Sequence, residues 1–125
     1  MKLLLDTHVV LWAWGDPDRI SAPARQAILN PANAKVVSAA SAWEASVKSA
    51  AGRLNLPEDF GDSLRASGFE PLAITVEDGL AAGALPPHHG DPFDRMLVAQ
   101  AQGGGFTLVT RDEQLTAYDV AILRA

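Results

Sequence analysis

The chain has 125 residues, 48% of them apolar, which suits one globular domain with a sizeable core and excludes a disordered chain. Its formal net charge of −5 excludes nucleic-acid binding through bulk positive charge, so such chemistry would need a local basic rim or a bound cation. Cysteine is absent, which removes disulfides, thiolate metal sites and a cysteine nucleophile and suits a cytoplasmic protein.

Lys2 to Leu5 is a short apolar run closed by Asp6-Thr7. It reads as a buried parallel strand ending in a polar pair, where open α/β sheets place their ligands. A charge after only three leucines argues against a secretory signal, and no run approaches membrane-spanning length. Asp6 is open to two readings, as the cap of a helix beginning near His8 or as a metal ligand. Trp12 and Trp14 continue that helix as core or interface residues. Gly15-Asp16-Pro17 is a turn, and Ser21-Ala22-Pro23 opens a helix that Asn30-Pro31 closes.

Lys35 to Ser38 is a second strand, followed by a helix over residues 39–50 whose small residues allow close packing. Glu44 lies one turn before Lys48, so it is either an exposed ion pair or a half-buried carboxylate flanked by Trp43 and Val47. Leu56-Pro57 opens a helix to about Ser67, and residues 70–74 form a third strand. Thr75 caps a helix through Leu85, with Asp78 at the capping-box position.

Residues 88–101, HHGDPFDRMLVAQA, form the central stretch. Asp91-Pro92 starts a helix, and Phe93, Met96, Leu97 and Ala101 recur on one face. Asp94 falls in the first turn, either closing a capping box with Asp91 or pointing into a pocket to hold a metal. The paired His88-His89 could ligate a transition metal, but after Pro86-Pro87 it reads more readily as loop residues or substrate contacts. Gly103-Gly104-Gly105 lacks an adjoining Gly-Lys-Ser/Thr and is a helix stop. Phe106 to Val109 is a fourth strand ending in Thr110-Arg111-Asp112. Leu115 and Tyr118 lie on a short helix, and Val120 to Leu123 is a fifth strand. The alternation implies an α/β protein with a mostly parallel sheet of about five strands, covered on both faces.

Asp6, Glu44, Asp94 and Asp112 thus sit at strand ends or on the helices after them, and such a sheet can gather them at one edge. Carboxylates brought that close raise each other's pKa unless a cation compensates. Oxygen donors without thiols suit Mg²⁺ or Mn²⁺ better than zinc and can activate water against a phosphodiester.

LLLDTHVVLW, SAWEASVK, DPFDRMLVAQA and LVTRD, in this order, resemble PIN-domain ribonucleases, most closely the VapC-type toxins of toxin–antitoxin pairs. The resemblance spans residues 1–125 as one domain. It implies a PIN-like α/β/α sandwich and Mg²⁺- or Mn²⁺-dependent endonucleolytic cleavage of RNA. Carried over by position, Asp6, Glu44 and Asp94 match the three core acids, Asp112 the fourth and Thr110 a supporting polar residue. Asp6 and Asp94 would be the metal ligands, while Glu44 and Asp112 would help place a water or a second ion. A VapB-like antitoxin and a homodimer are the implied partners. Lys48, Arg53, Arg95 and Arg111 lie on or near these segments and are the candidate RNA contacts.

A receiver domain also gathers aspartates and Mg²⁺, but it usually has adjacent acids after the first strand and a Lys after the last. This chain has Asp6-Thr7 and no such Lys. A two-aspartate phosphatase wants Asp-x-Asp-x-Thr where the chain offers His8. A non-catalytic RNA-binding module would tolerate loss of an acid, yet all four are present.

Overall fold

The computed structural model describes residues 1–125. Five parallel strands form one sheet in the order β3-β2-β1-β4-β5: β1 Lys2–Leu5, β2 Ala34–Ser38, β3 Glu70–Leu72, β4 Thr107–Thr110 and β5 Ile122–Arg124. The helices are α1 Thr7–Gly15, α2 Ala22–Leu29, α3 Ala39–Ala50, α4 Phe60–Ala66, α5 Val76–Ala84 and α6 Pro92–Gly104. None is long and apolar enough to cross a membrane.

Strand alternation sorts the core into two layers. Leu3 and Leu5 of β1 face α1, α2 and α4, packing with Val9, Val10, Ile28 and Leu64. Leu4 faces the other way, packing with Ala40 of α3 and Leu97, Val98 and Ala101 of α6. Leu3, Leu4, Leu5 and Leu108 are all fully buried, and truncating any one of them to Ala would cost about 2–5 kcal/mol. The chain winds from β1 out to β3, then returns to the opposite side of β1 to lay down β4 and β5. The order therefore reverses between β1 and β4. Crevices at the carboxyl ends of strands open at such a reversal, and Asp6 and Asp112 flank this one.

Local signals placed most boundaries. Ser21 caps α2, and Thr75 with Asp78 forms the full capping box of α5. Other expectations shift. α4 begins at Phe60 rather than near Leu56, because Glu58 and Asp59 before it sit in a turn, and Phe60 packs edge-on against Trp14. β3 stops at Leu72, and β4 and β5 each start later than their apolar runs suggest. Val120 remains in a turn closed by its N–H to the Tyr118 carbonyl. Tyr118 itself lies just past a 3₁₀ helix, Glu113–Ala117. α6 continues through Gly103 and Gly104 and ends at Gly105, whose φ of 66° is the left-handed conformation glycine adopts most readily.

Candidate active site

Each acid is delivered by a different element. Asp6 follows β1, and its N–H continues the ladder to the Val109 carbonyl at 3.0 Å. Its Oδ1 accepts from the His8 N–H at 3.3 Å, capping α1, while Oδ2 accepts the Thr110 hydroxyl at 2.7 Å. The two readings of Asp6 are thus compatible, because the cap uses one oxygen and leaves the carboxylate in the crevice. Glu44, on the second turn of α3, is 3% exposed. Its Oε1 accepts the Thr7 hydroxyl at 2.6 Å and its Oε2 pairs with Lys48 Nζ at 2.8 Å. The ion pair with Lys48 exists, but it is buried at its carboxylate end.

Asp94 does not close a capping box. Asp91 caps α6 by accepting from the Phe93 N–H at 2.8 Å, yet the Asp91 N–H donates to His89 Nδ1 at 3.0 Å. With that donor taken, the Asp94 carboxylate turns inward, its side chain 13% exposed. One oxygen from each of Asp6, Glu44 and Asp94 falls within 4.8 Å of the others. Asp112 caps the 3₁₀ helix through Oδ1 and the Gln114 N–H at 2.9 Å. Its Oδ2 meets His89 Nε2 at 2.8 Å, and the same nitrogen lies 3.3 Å from Asp94 Oδ2. Asp94 is therefore the shared member of two clusters.

The crevice has a volume of about 150 Å³ and is lined by all four acids, with Lys48, Arg111 and Trp12 at its sides. Burial raises the pKa of Asp94 to about 7, with the charges of Asp6, Asp91 and Glu44 adding to the rise and His89 opposing it. Burial also raises Asp6, against the lowering effect of the Thr110 and His8 donors. Three converging carboxyl groups, two of them inclined to keep a proton, form a donor set that a hard divalent cation fits, and no sulfur competes.

The basic residues divide. Arg111 stacks on Trp12 at 4.4 Å, and its Nε and Nη2 donate to the main-chain oxygen of Ala125 at 3.2 and 3.1 Å. That anchoring uses Nε and Nη2 and gives Nη1 no intramolecular hydrogen bond, and Arg111 is one of the crevice's lining residues. Lys48 lines it as well, whereas Arg53 sits exposed in the turn beyond α3 and is not among the lining residues. Arg95, the fourth candidate RNA contact, lies outside the crevice lining. It points to the end of α5, donating to the carbonyls of Ala82, Leu85 and Pro86 at 2.9, 3.0 and 3.0 Å and to the Tyr118 hydroxyl at 3.3 Å. Unsatisfied carbonyls at a helix C-terminus attract such a cation, so its Nη1 and Nη2 donors are taken within the fold.

His89, read from the sequence as a loop residue or substrate contact, lies against the acids Asp94 and Asp112. His88 and His89 look alike in sequence, but His88 packs edge-on against Tyr118 at 5.0 Å while His89 enters the cluster. No local pattern separates them, because the difference depends on residues up to 29 positions away.

A profile of the PIN domain matches residues 3–121. The curated Ribonuclease VapC22 of Mycobacterium tuberculosis is 34% identical over 119 residues, covering 93% of this chain and 91% of that protein. Among solved structures, VapBC2 from Rickettsia felis bound to a promoter DNA fragment superposes with a TM-score of 0.74 at 16% identity, covering 99% of this chain and 98% of that one. DNA-bound VapBC from Salmonella typhimurium gives 0.71 at 17% identity, with the same coverage. At such identities the structural likeness speaks to the fold.

Proposed function

Because this chain belongs to the PIN domain family, we propose that it is a Mg²⁺- or Mn²⁺-dependent endoribonuclease acting as the toxin of a toxin–antitoxin pair. The observation that carries this reading is the convergence of Asp6, Glu44 and Asp94 within 4.8 Å at the reversal point of a parallel sheet. The relative named as a ribonuclease supports RNA as the substrate.

Asp6 and Asp94 would hold the ion, with Glu44 and Asp112 at its margins. A divalent cation bound there would supply Lewis acidity toward a phosphoryl oxygen and make water a better nucleophile at neutral pH. Glu44 is fixed for its part by Thr7 and Lys48, so its carboxylate can orient a water without first reorganising. Hydrolysis breaks one P–O bond, places the water's hydroxyl on phosphorus and its proton on the departing oxygen. Arg111 Nη1 and Lys48 stand where a phosphate entering the crevice needs positive charge, which is how an acidic protein can hold RNA. Thr110 keeps Asp6 aimed and favours its ionised form.

The partners are proposed from the same kinship. Structures that carry this fold include complexes named VapBC, which supports a VapB-like antitoxin here. A homodimer would cover the apolar face of α3 and α5, where Trp43, Val76 and Leu80 are 61%, 76% and 71% exposed.

The test is cleavage of single-stranded or looped RNA by purified protein with Mg²⁺ or Mn²⁺, and its arrest by EDTA. Cleavage that persists in excess chelator would end the metal mechanism. Phosphate transfer from a small phosphodonor to an aspartate would favour a receiver domain instead.

A further inference from the structure

Given the metal-dependent nuclease reading, on which this depends, we propose that His89 is a positioning residue that holds Asp112 against Asp94 and so sets the spacing of the acidic site. All four polar groups of His89 are engaged. Its N–H donates to the Tyr118 hydroxyl at 3.0 Å, and its carbonyl accepts from Arg95 Nη1 at 3.4 Å. The ring is 12% exposed and is held at both nitrogens. Nδ1 accepts from the Asp91 N–H at 3.0 Å, so the ring proton sits on Nε2. Nε2–H then donates to Asp112 Oδ2 at 2.8 Å, with Asp94 Oδ2 3.3 Å away.

That tautomer has two consequences. With its proton directed at the acids, Nε2 serves them as a donor and is not itself a free metal ligand. The ring also joins the start of α6, which carries Asp94, to the segment after β4, which carries Asp112. Two carboxylates on separate elements repel, and an Nε2–H that donates to Asp112 while lying 3.3 Å from Asp94 offsets that repulsion. Arg95 and Tyr118 fix the main chain of His89, which explains how an arginine turned away from the crevice still serves it. Partners of metal-binding carboxylates commonly act in this way.

Two measurements test the assignment. Nitrogen-15 NMR of histidine-labelled, metal-free protein at pH 8 should show His89 protonated on Nε2 and bare on Nδ1. A proton on Nδ1 overturns the proposal. Calorimetric titration with Mn²⁺ alone then compares the parent with His89→Gln and His89→Asn. A glutamine amide reaches the place of Nε2 and can still donate to Asp112, whereas an asparagine amide stops at the place of Nδ1. His89→Asn should weaken Mn²⁺ binding roughly tenfold or more, and His89→Gln should recover most of that loss. Equal losses in both variants, or none in either, would reduce His89 to packing. RNA cleavage is read separately. A parent that binds Mn²⁺ but leaves RNA intact ends the nuclease reading while the His89 result stands. If the parent binds no Mn²⁺, the tautomer and the melting temperatures decide, with His89→Asn expected to melt below His89→Gln and equal melting overturning the proposal.

Discussion

The Thr110 hydroxyl donates to Oδ2 of Asp6 across 2.7 Å, joining the ends of two neighbouring strands whose residues stand 104 positions apart in the chain. The Thr110 hydroxyl oxygen in turn accepts from the Asp112 N–H at 3.1 Å, so one hydroxyl serves two acids of the site. Thr110→Val removes both bonds and strips a buried carboxylate of a donor that lowers its pKa. The expected cost is about 1–3 kcal/mol of stability, together with weaker Mn²⁺ binding and slower cleavage. Thr110→Ser, which keeps the hydroxyl, should recover most of both. Chemical denaturation and a cleavage assay on the two variants check this.

Asp94 makes the metal-free protein sensitive to pH. Its pKa is about 7 in the fold against an ordinary 3.8, so between those values the folded state retains a proton that the unfolded chain releases. Stability therefore falls as pH rises through that window, being fully present below about pH 4 and lost by about pH 7. Asp6 shifts in the same direction. Asp78, held low by the Thr75 N–H, acts below the window and does not mask it. Melting temperatures in EDTA should decline from pH 4 to 7, and Asp94→Asn should make that slope shallower, leaving the part that Asp6 contributes.

At pH 8 the same variant should melt at or above the parent without metal, because it relieves repulsion. Mn²⁺ should stabilise it less than the parent and cleavage should fall to background. Melting like the parent in both buffers with cleavage intact would leave Asp94 a helix-start residue only.

Arg95 and Arg111 should separate cleanly. Arg95→Ala leaves the carbonyls of Ala82, Leu85 and Pro86 without their shared donor and should lower the melting temperature by several degrees. Its effect on the salt dependence of RNA binding should be negligible. Arg111→Ala should weaken RNA binding and flatten its salt slope by roughly one unit, the signature of one lost phosphate contact. Binding isotherms at several salt concentrations distinguish the two.

Val76 and Leu80 lie one turn apart on α5, and both are largely exposed. Charging that stripe with Val76→Asp and Leu80→Asp should convert a dimer to monomer in sedimentation analysis. Neither residue lines the acidic crevice, so Mn²⁺ binding per chain should persist.

What the sequence by itself determined follows from interactions a few residues long. Apolar periodicity and caps at Ser21, Thr75 and Asp91 mark most of the helices, and the apolar runs mark five strands, because caps and periodic burial are decided within a turn or two. Asp6, Asp94 and Asp112 were legible because each sits at a recognisable strand or helix end, and Glu44 because it stands on the helix that follows β2. Only the tertiary structure decided what each side chain does there. The Asp91 N–H could have met Asp94, three residues on, and instead meets His89 Nδ1. Arg95 could have faced solvent and instead closes the end of α5, held with Tyr118 from across the fold. Each outcome turns on a partner far along the chain: Asp112, 23 positions from His89, holds that ring, and Tyr118, 23 positions from Arg95, meets the guanidinium. The distant partners exist only once the sheet has reversed its order and brought β1 and β4 side by side.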